Sequence, residues 1–459
     1  MQNVSAKDQG LHQGLQQRHI VLMSLGCAIG VGLFLGSSSA IELAGPGVIM
    51  AYAIGGFFMY FIMRALGEMA VHDPSAGSFS LYARNYLGPV AGFTVGWNYT
   101  FSTIVFCMSE ITAVAIYMKF WFPDVPQWTW ALATFVIMIG INLLNVKFFG
   151  EFEYWFSMIK VAAIVFMIVT GLGMILFGIG NGGIAVGFAN LWNNGGFLPN
   201  GLSGVFLSLF LVMWSYGGME MIAMTAAEVK NPEKSLKTAI NNVFWRILLF
   251  YVGAMIVLLS VYPWAEIGST GSPFVNMFTK LGIPAAAGII NFVVITAALS
   301  SFNSNTYGAV RVLFNLANRG EAPSALSKVT KNGVPRNAVF FFAAILFISV
   351  IGNYIVPEKI FMYFASIGTL STFFTWIMIL LSQIKFRKSL TADEVNRLAY
   401  KMPFASFMPY VTLAVLAFII VMLAYTSYTR IGVIVGVIWY TLLVIIYYSK
   451  TKKKMQAEM

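Results

Sequence analysis

Apolar positions fill this chain in about twelve runs, each close to twenty residues long, and short polar segments separate them. A bilayer's hydrocarbon core is about 30 Å thick, so an α-helix crosses it in about 20 apolar residues. The pattern therefore predicts an all-α integral membrane protein with twelve transmembrane helices. We place these spans at about 20–42, 47–69, 89–119, 127–146, 155–178, 202–228, 240–262, 284–313, 337–356, 359–384, 407–427 and 430–449.

The composition argues against an enzyme. Of the 459 residues, 59% are hydrophobic and 10% are charged, and twelve spans use roughly 240 residues, which leaves no room for a soluble catalytic domain. His12, His19 and His72 lie in a tail or a loop, and Cys27 and Cys107 lie within apolar runs. We therefore expect no catalytic triad, no metal site and no cofactor.

The basic residues predict the orientation. Counted loop by loop, one side of the membrane holds most lysines and arginines, including the cluster at 450–454. The other side holds only Lys119, Lys280, Lys359 and Arg430. Because cytoplasmic loops carry the excess of basic residues, this asymmetry predicts an even number of spans with both termini in the cytoplasm. It also explains the net charge of +11 without a nucleic-acid partner.

Glycines interrupt the first span and the sixth. Residues 26–36 contain four glycines in eleven residues, each costing a helix about 0.8–1 kcal/mol against alanine. Taken alone, these glycines are equally consistent with close helix packing. Residues 214–220 also carry two glycines, now beside a carboxylate.

Interruptions in spans one and six are typical of a five-plus-five inverted repeat. The predicted organisation is a tail at 1–19, a first repeat at 20–178 and a second repeat at 202–384. Two further helices at 407–449 and a tail at 450–459 complete the chain.

An unwound backbone leaves N–H and C=O groups unpaired at membrane depth. A free amino acid can pair with both, through its carboxylate and its ammonium. We assign the backbone N–H groups of the first interruption to the substrate carboxylate. The free backbone carbonyls of the second interruption receive the substrate ammonium. For Trp214, simple packing is the alternative role. The residues predicted to bind substrate are Ala28, Gly30, Val31, Gly32, Trp214, Ser215 and Gly217.

Three ionisable residues lie deep in predicted spans: Glu110, Lys160 and Glu220, with Glu228 nearer a span end. Ionised burial costs at least about 2.5–3.5 kcal/mol each. One interpretation is a Lys–Glu pair that only braces the bundle. The other is proton coupling, in which Lys160 supplies a fixed cation in place of a bound sodium ion.

Several motifs carry a family resemblance. They are residues 26–36, 62–69, 149–157, 227–232, and 262–264 with 271–275. In these segments the chain resembles the amino acid–polyamine–organocation superfamily, in its bacterial amino acid permease branch. The resemblance implies the leucine-transporter fold, with ten core helices in two inverted repeats and two peripheral helices.

The resemblance also implies roles for particular residues. Substrate lies at the midplane between spans 1, 3, 6, 8 and 10, and proton symport is the usual mode. Lys160 matches the position that replaces sodium, Glu220 matches a gating glutamate, and Asn303 belongs to a polar cluster that lines the path. Cys27, Ala28 and residues 215–218 depart from common family patterns, which leaves the side-chain specificity open.

The predicted function is proton-coupled import of a neutral amino acid across the cell membrane by alternating access, with similarity to permeases for proline, threonine and other neutral amino acids. A proton-independent exchanger or uniporter of the same fold, and a non-transporting nutrient sensor, are the alternatives. A lysine-type substrate would need an acidic partner, for which Glu110 is the candidate. The amino acid itself and the oligomeric state are not predicted.

Overall fold

The computed structural model describes residues 30–73, 78–143, 146–224, 232–267, 272–280, 284–330, 335–426 and 429–458. These ranges contain helices and connecting segments and no β-strand. The prediction of an all-α membrane protein is therefore confirmed.

The α-helices follow one another along the described ranges, with three short 3₁₀-helices and one π-helix between them. The first group is α1 (Val31–Phe34), α2 (Gly36–Ala44), α3 (Val48–His72), α4 (Ser78–Leu87), α5 (Pro89–Met118), α6 (Gln127–Asn142) and α7 (Val146–Phe177). The second is α8 (Asn190–Asn193), α9 (Gly201–Ser215), α10 (Met221–Met224), α11 (Pro232–Arg246), α12 (Ala254–Val261), α13 (Pro273–Lys280) and α14 (Pro284–Asn318). The third is α15 (Arg336–Leu346), α16 (Ile348–Ile355), α17 (Ile360–Ser389), α18 (Ala392–Arg397), α19 (Met408–Tyr425) and α20 (Arg430–Glu458).

Nine helical stretches within the described ranges are long and apolar enough to cross a membrane. They are Gly36–His72, Pro89–Met118, Trp155–Phe177, Glu233–Val261, Ala285–Asn318, Arg336–Ile355, Ile360–Ser389, Met408–Tyr425 and Arg430–Ser449. Two shorter apolar helices, α6 and α9, coincide with predicted spans 4 and 6. Span 6 is short because α9 ends at Ser215, inside the predicted glycine-rich interruption.

Proline marks where several helices begin. α5, α11, α13 and α14 each start with proline, whose fixed φ suits the first turn and whose missing N–H would have no intrahelical partner there. Gly88, just before α5, has φ 108°, a conformation that glycine adopts without steric cost. The sequence therefore sets the entry of the chain into its long helices.

The long helix α5 lies at the centre of the bundle, packed most extensively against α14 and α17. Polar contacts join α5 to α17: the Asn98 amide donates to the Ser371 carbonyl at 2.8 Å and to the Thr375 hydroxyl at 3.0 Å. From α20, the Tyr440 hydroxyl donates to Asn98 Oδ1 at 3.0 Å. Such bonds hold helices together where the lipid offers no hydrophobic drive for association.

The last two helices lie at the edge of the bundle. In the apolar part of α19 33% of the residues are buried, and in that of α20 only 17%, against 78% in α5. Long apolar helices that stay exposed require lipid around them. α19 and α20 are therefore the least enclosed of the long apolar helices in the described ranges.

A π-helix at Ile247–Gly253 joins α11 to α12. Its Tyr251 is fully buried and donates to the Ser215 carbonyl at 3.0 Å. Segments of π-helix occur frequently at functional sites, because the wider turn redirects side chains. This segment connects the span after the second interruption back to the interruption itself.

Residues 398–402, which we call the strap, bind the end of α3. The Glu68 side chain is fully buried and accepts from Arg387 Nε at 2.6 Å and Nη2 at 2.8 Å. It also accepts from the backbone N–H of Met402 in the strap. A bidentate arginine and a backbone donor satisfy both carboxylate oxygens, as a buried carboxylate requires.

One turn earlier on α3, Arg64 contacts the same strap. Its guanidinium lies 3.9 Å from the centre of the Tyr400 ring, and it donates to the Lys401 carbonyl and to Asn241 Oδ1. Burial raises the pKa of Tyr400 to about 12, so its hydroxyl stays protonated at neutral pH and donates to Asn241 at 2.8 Å. The strap thus joins α3, α11 and α17 on the side predicted to face the cytoplasm.

We expect Glu68→Gln to lower the midpoint of thermal unfolding of the purified protein, because Arg387 then loses its ionic partner. Breaking a buried pair costs about 3–5 kcal/mol, and partial exposure of Arg387 places this case near the lower end. Glu233→Gln is the matched control, since Glu233 pairs with Lys237 on an exposed helix face and such pairs contribute about 0.3–0.5 kcal/mol. Equal shifts in the two variants would contradict a structural role for the strap.

Candidate functional site

The two glycine-rich interruptions meet inside the bundle. A Cβ placed on Gly32 would lie 2.6 Å from the Cα of Ser215, closer than two such carbon atoms approach. Because the neighbouring atom belongs to the backbone, no rotamer change can relieve the contact. Gly32 is therefore required for the close approach of α1 to the end of α9.

At the position of the first predicted interruption, Gly30 has an extended backbone (φ −129°, ψ −165°) directly before α1. The Gly30 carbonyl accepts from the backbone N–H of Leu33 at 3.1 Å and of Phe34 at 3.3 Å. After a single turn residue the helix continues as α2. The outer part of span 1 therefore begins as a helix at Val31, beside Gly30.

The second interruption spans residues 216–220, between α9 and α10. Gly218 has φ 93°, in the left-handed region that favours glycine. Its backbone N–H donates to Glu220 Oε2 at 3.2 Å, and the Trp376 indole N–H approaches the same oxygen at 3.4 Å. Glu220 therefore bonds the unwound backbone and joins it to α17.

A small cavity of about 30 Å³ lies where the interruptions meet. Its walls combine backbone from both interruptions with side chains of α5 and α14. The lining residues are Gly30, Val31, Gly32, Phe106, Glu110, Trp214, Ser215, Gly217, Gly218, Ser301, Ser304 and Asn305.

Aromatic rings form one wall of this cavity. Trp214 is 1% exposed and stacks on Phe106, with ring centres 5.5 Å apart and planes at 9°. Phe361 meets the other side of the indole edge-on at 5.7 Å. A Cβ on Gly217 would lie 2.5 Å from the tip of Phe106, so glycine is needed there for the backbone to pass the ring.

A carboxylate also lines the cavity. Glu110 on α5 is 3% exposed and hydrogen-bonds with the Ser301 hydroxyl and with the backbone N–H of Val31. The Asn305 amide in turn donates to Ser301 Oγ at 3.4 Å. The fully buried ammonium of Lys160, on α7, acts electrostatically on the Glu110 carboxylate. The lining around Glu110 is therefore polar.

Three tyrosines support the second interruption from behind. The Tyr216 hydroxyl donates to the Tyr52 carbonyl on α3 at 2.7 Å, and Tyr251 donates to the Ser215 carbonyl. The rings pack against one another with centres 4.8–6.2 Å apart. The carbonyl at the end of α9 is thus paired although its helix stops.

The structure brings most of the predicted substrate residues to one place. The residues that line the cavity together are Gly30, Val31, Gly32, Trp214, Ser215, Gly217 and Glu110. Ala28 and Glu228 lie outside the described residues. Lys160 and Glu220 are buried near the site but are not part of its walls.

Asn303 is not among the residues that line this cavity. It is buried, and its Oδ1 accepts from the Asn142 amide of α6 at 3.2 Å, whereas Ser301, Ser304 and Asn305 line the cavity. Residues three and four apart share a helix face, so Ser301 with Ser304 and Asn305 defines the inner face of α14. Asn303 follows Ser301 by two residues, a rotation of about 200° around the helix, so its side chain points elsewhere.

Phe106, Gly218 and the α14 polar residues were not singled out from the sequence as lining groups. Phe106 and Glu110 are four residues apart and therefore lie on one face of α5. The four-residue spacing from Glu110 is therefore the sequence signal that indicates Phe106. Gly218 belongs to the predicted second interruption, but which way it points depends on the non-helical backbone there.

Comparisons with known proteins agree along nearly the whole chain. The model of the amino acid permease family matches residues 19–458. The Bacillus subtilis (strain 168) protein named as the uncharacterized amino acid permease YtnA is 60% identical over 98% of this chain and 97% of its own length. The probable threonine/serine transporter YbxG of the same organism is 49% identical over 95% of each chain. The amino-acid permease AapA, also from that organism, is 43% identical over 97% of this chain and 96% of its own.

We expect Gly32→Ala to destabilise the folded protein, because the added methyl group cannot fit beside the Ser215 backbone. Gly140→Ala is the matched control: Gly140 lies in α6 with open space around its Cβ position. Thermal unfolding of the two purified variants provides the measurement. The control should melt at or above the wild-type temperature, and an unchanged melting temperature for Gly32→Ala would contradict the close approach.

Proposed function

The chain belongs to the amino acid permease family, and we propose that it imports a neutral, zwitterionic amino acid across the cell membrane together with a proton. The observation that carries this proposal is that the extended backbone at Gly30 and the break between α9 and α10 meet at a buried cavity. A free amino acid has opposite charges on adjacent atoms, and this site offers a backbone donor and backbone acceptors at close range. No covalent chemistry is required, in keeping with a permease rather than an enzyme.

The substrate carboxylate binds at the backbone N–H groups of Val31 and Gly32 in this proposal. Its ammonium binds at the carbonyls of the second interruption. The Trp214 carbonyl already accepts from the Gly217 N–H at 2.9 Å, and the Ser215 carbonyl accepts from Tyr251. A carbonyl oxygen has two lone pairs, so each retains one for the ammonium.

We propose twelve spans for the whole chain, arranged as two inverted repeats of five with α19 and α20 outside them. The short apolar helices α6 and α9 lie where spans 4 and 6 are predicted, which supports counting them as spans. Both termini then lie in the cytoplasm, as the distribution of basic residues favours. Alternating access moves the repeats around a fixed midplane site.

Proton coupling is proposed to involve the buried ionisable groups. Lys160 acts on Glu110, which lines the cavity, while Glu220 bonds the second interruption. Ionisable residues inside a membrane are costly and mark ion or substrate pathways. We assign Lys160 the role of a fixed cation that replaces a sodium ion, and Glu220 a role in gating.

We propose a small neutral substrate. The cavity of about 30 Å³ has room for water and must widen to admit an amino acid, and the Trp214 ring closes one side. Glu110 is the one ionisable side chain among the described lining residues. It already interacts with the Val31 N–H, so it is not a free partner for a cationic substrate side chain. The name of the relative YbxG adds threonine and serine as first candidates.

Purified protein in liposomes is expected to accumulate labelled threonine or serine when the outside is made more acidic than the inside, in the absence of sodium. Competition by the twenty standard amino acids then ranks the substrates, with small neutral ones strongest. Accumulation that requires sodium and ignores the pH gradient would contradict proton coupling. Counterflow without any response to pH would favour an exchanger or uniporter, and saturable binding without flux would favour a sensor.

Lys160→Ala is expected to abolish concentrative uptake, because the bundle loses the fixed charge that takes the place of a sodium ion. Lys119→Ala removes an exposed lysine at the end of α5 and serves as the matched control, with uptake near the wild-type rate. The measurement is the ratio of internal to external substrate at steady state. A Lys160→Ala protein that still concentrates substrate would exclude this role.

A further inference from the structure

Glu110 uses the same backbone donor that the proposed function gives to the substrate. Its carboxylate lies against the Gly30–Val31 backbone and beside Ser301, and it interacts with the Val31 N–H. Oε1 lies 3.3 Å from where a Cβ on Gly30 would be, so the carboxylate is in close contact with the backbone at Gly30. The side chain therefore places a carboxylate oxygen against the first interruption, where the carboxylate of an amino acid would bind.

The second oxygen of the Glu110 carboxylate, Oε2, is buried and has no hydrogen-bond partner among the described residues. Ser304 Oγ, on the same cavity wall, is also buried without one. Buried polar atoms normally have partners, and each exception costs free energy. Two unpaired polar atoms on one cavity wall indicate that a ligand or a proton completes this site.

Two carboxylates cannot both remain ionised at one buried donor, because like charges at this distance favour protonation of one of them. We propose that Glu110 is an internal substitute for the substrate carboxylate, and that an amino acid binds only after Glu110 takes up a proton and yields the Val31 N–H. This inference rests on the proposed function and identifies the group whose protonation is linked to binding. Protonated Glu110 gains an O–H donor for the incoming carboxylate.

The charged and titratable groups that interact with Glu110 are few. Lys160 faces it from α7, and Cys107 and Tyr117 belong to its own helix. Neither of the latter two lines the cavity. Glu110 is thus the acidic group positioned to exchange one proton for one bound carboxylate.

The proposal makes opposite predictions for two ligands. L-Threonine brings a carboxylate and competes with ionised Glu110. The amino alcohol in which the threonine carboxyl group is replaced by CH₂OH brings only the ammonium, so ionised Glu110 supplies the missing carboxylate in the same place. Binding of the first ligand requires the protonated side chain, and binding of the second requires the ionised one.

The test measures Kd for both ligands on the purified full chain between about pH 5 and about pH 9, and each Kd refers to the ligand whose ammonium is charged. We expect the threonine Kd to rise with pH by up to about tenfold per unit, since binding is linked to one proton. The Kd of the amino alcohol should fall with pH, by up to the same factor. In Glu110→Gln both values should become independent of pH.

Glu42→Gln is the matched control, because it makes the same change at an exposed position on α2, and it should keep both pH slopes. Where Glu110→Gln does not give folded protein, Ser301→Ala replaces it. Loss of that hydroxyl removes a hydrogen bond from the ionised carboxylate, so both pH profiles should move to higher pH.

Parallel slopes for the two ligands, or a Glu110→Gln protein with the wild-type slopes, would overturn the proposal while leaving amino acid transport intact. Unchanged pH profiles in Ser301→Ala would also overturn it. Absence of both amino acid binding and uptake in the wild type would instead overturn the proposed function, and this inference with it.

Discussion

Main-chain polar groups that lose their helical partners in a lipid environment must find others, and this requirement organises the centre of the protein. At the first interruption the Glu110 carboxylate meets the Val31 N–H. At the second, Tyr251 pairs with the Ser215 carbonyl and Glu220 pairs with the Gly218 N–H. The buried acids, the tyrosines behind the second interruption and the glycines that permit close approach are all consequences of two short stretches of non-helical backbone.

Much of this arrangement could be predicted from local sequence. Glycines at helix-breaking spacing locate both interruptions, and the isolated charges in apolar runs locate Glu110 and Glu220 beside them. Which way a side chain faces was harder to predict, because facing depends on how distant helices pack. Asn303 illustrates this: the polar cluster was recognised, but the helical phase that turns Ser301 and Ser304 inward and Asn303 toward Asn142 was not.

Contacts between residues far apart in the chain could not be predicted from local sequence patterns. Arg64 and Glu68 belong to a motif that resembles the family, yet nothing near them in sequence indicates that their partners are Tyr400 and Met402. The number of spans shows a related limit. Hydropathy predicts continuous runs, whereas a helix that stops at Ser215 or fills only 16 residues, as α6 does, is shorter than a complete crossing.

The π-helix at Ile247–Gly253 has a consequence for how this part of the chain is compared with others. A wider turn holds more residues than an α-turn, so the side chains on α12 are rotated relative to those on α11. One residue corresponds to about 100° of rotation. An ungapped alignment with a relative that keeps regular α-helix here would therefore equate positions that face different neighbours. Evolutionary insertion or loss of one residue at this point would change which side chain reaches the end of α9, without altering any residue of the cavity itself.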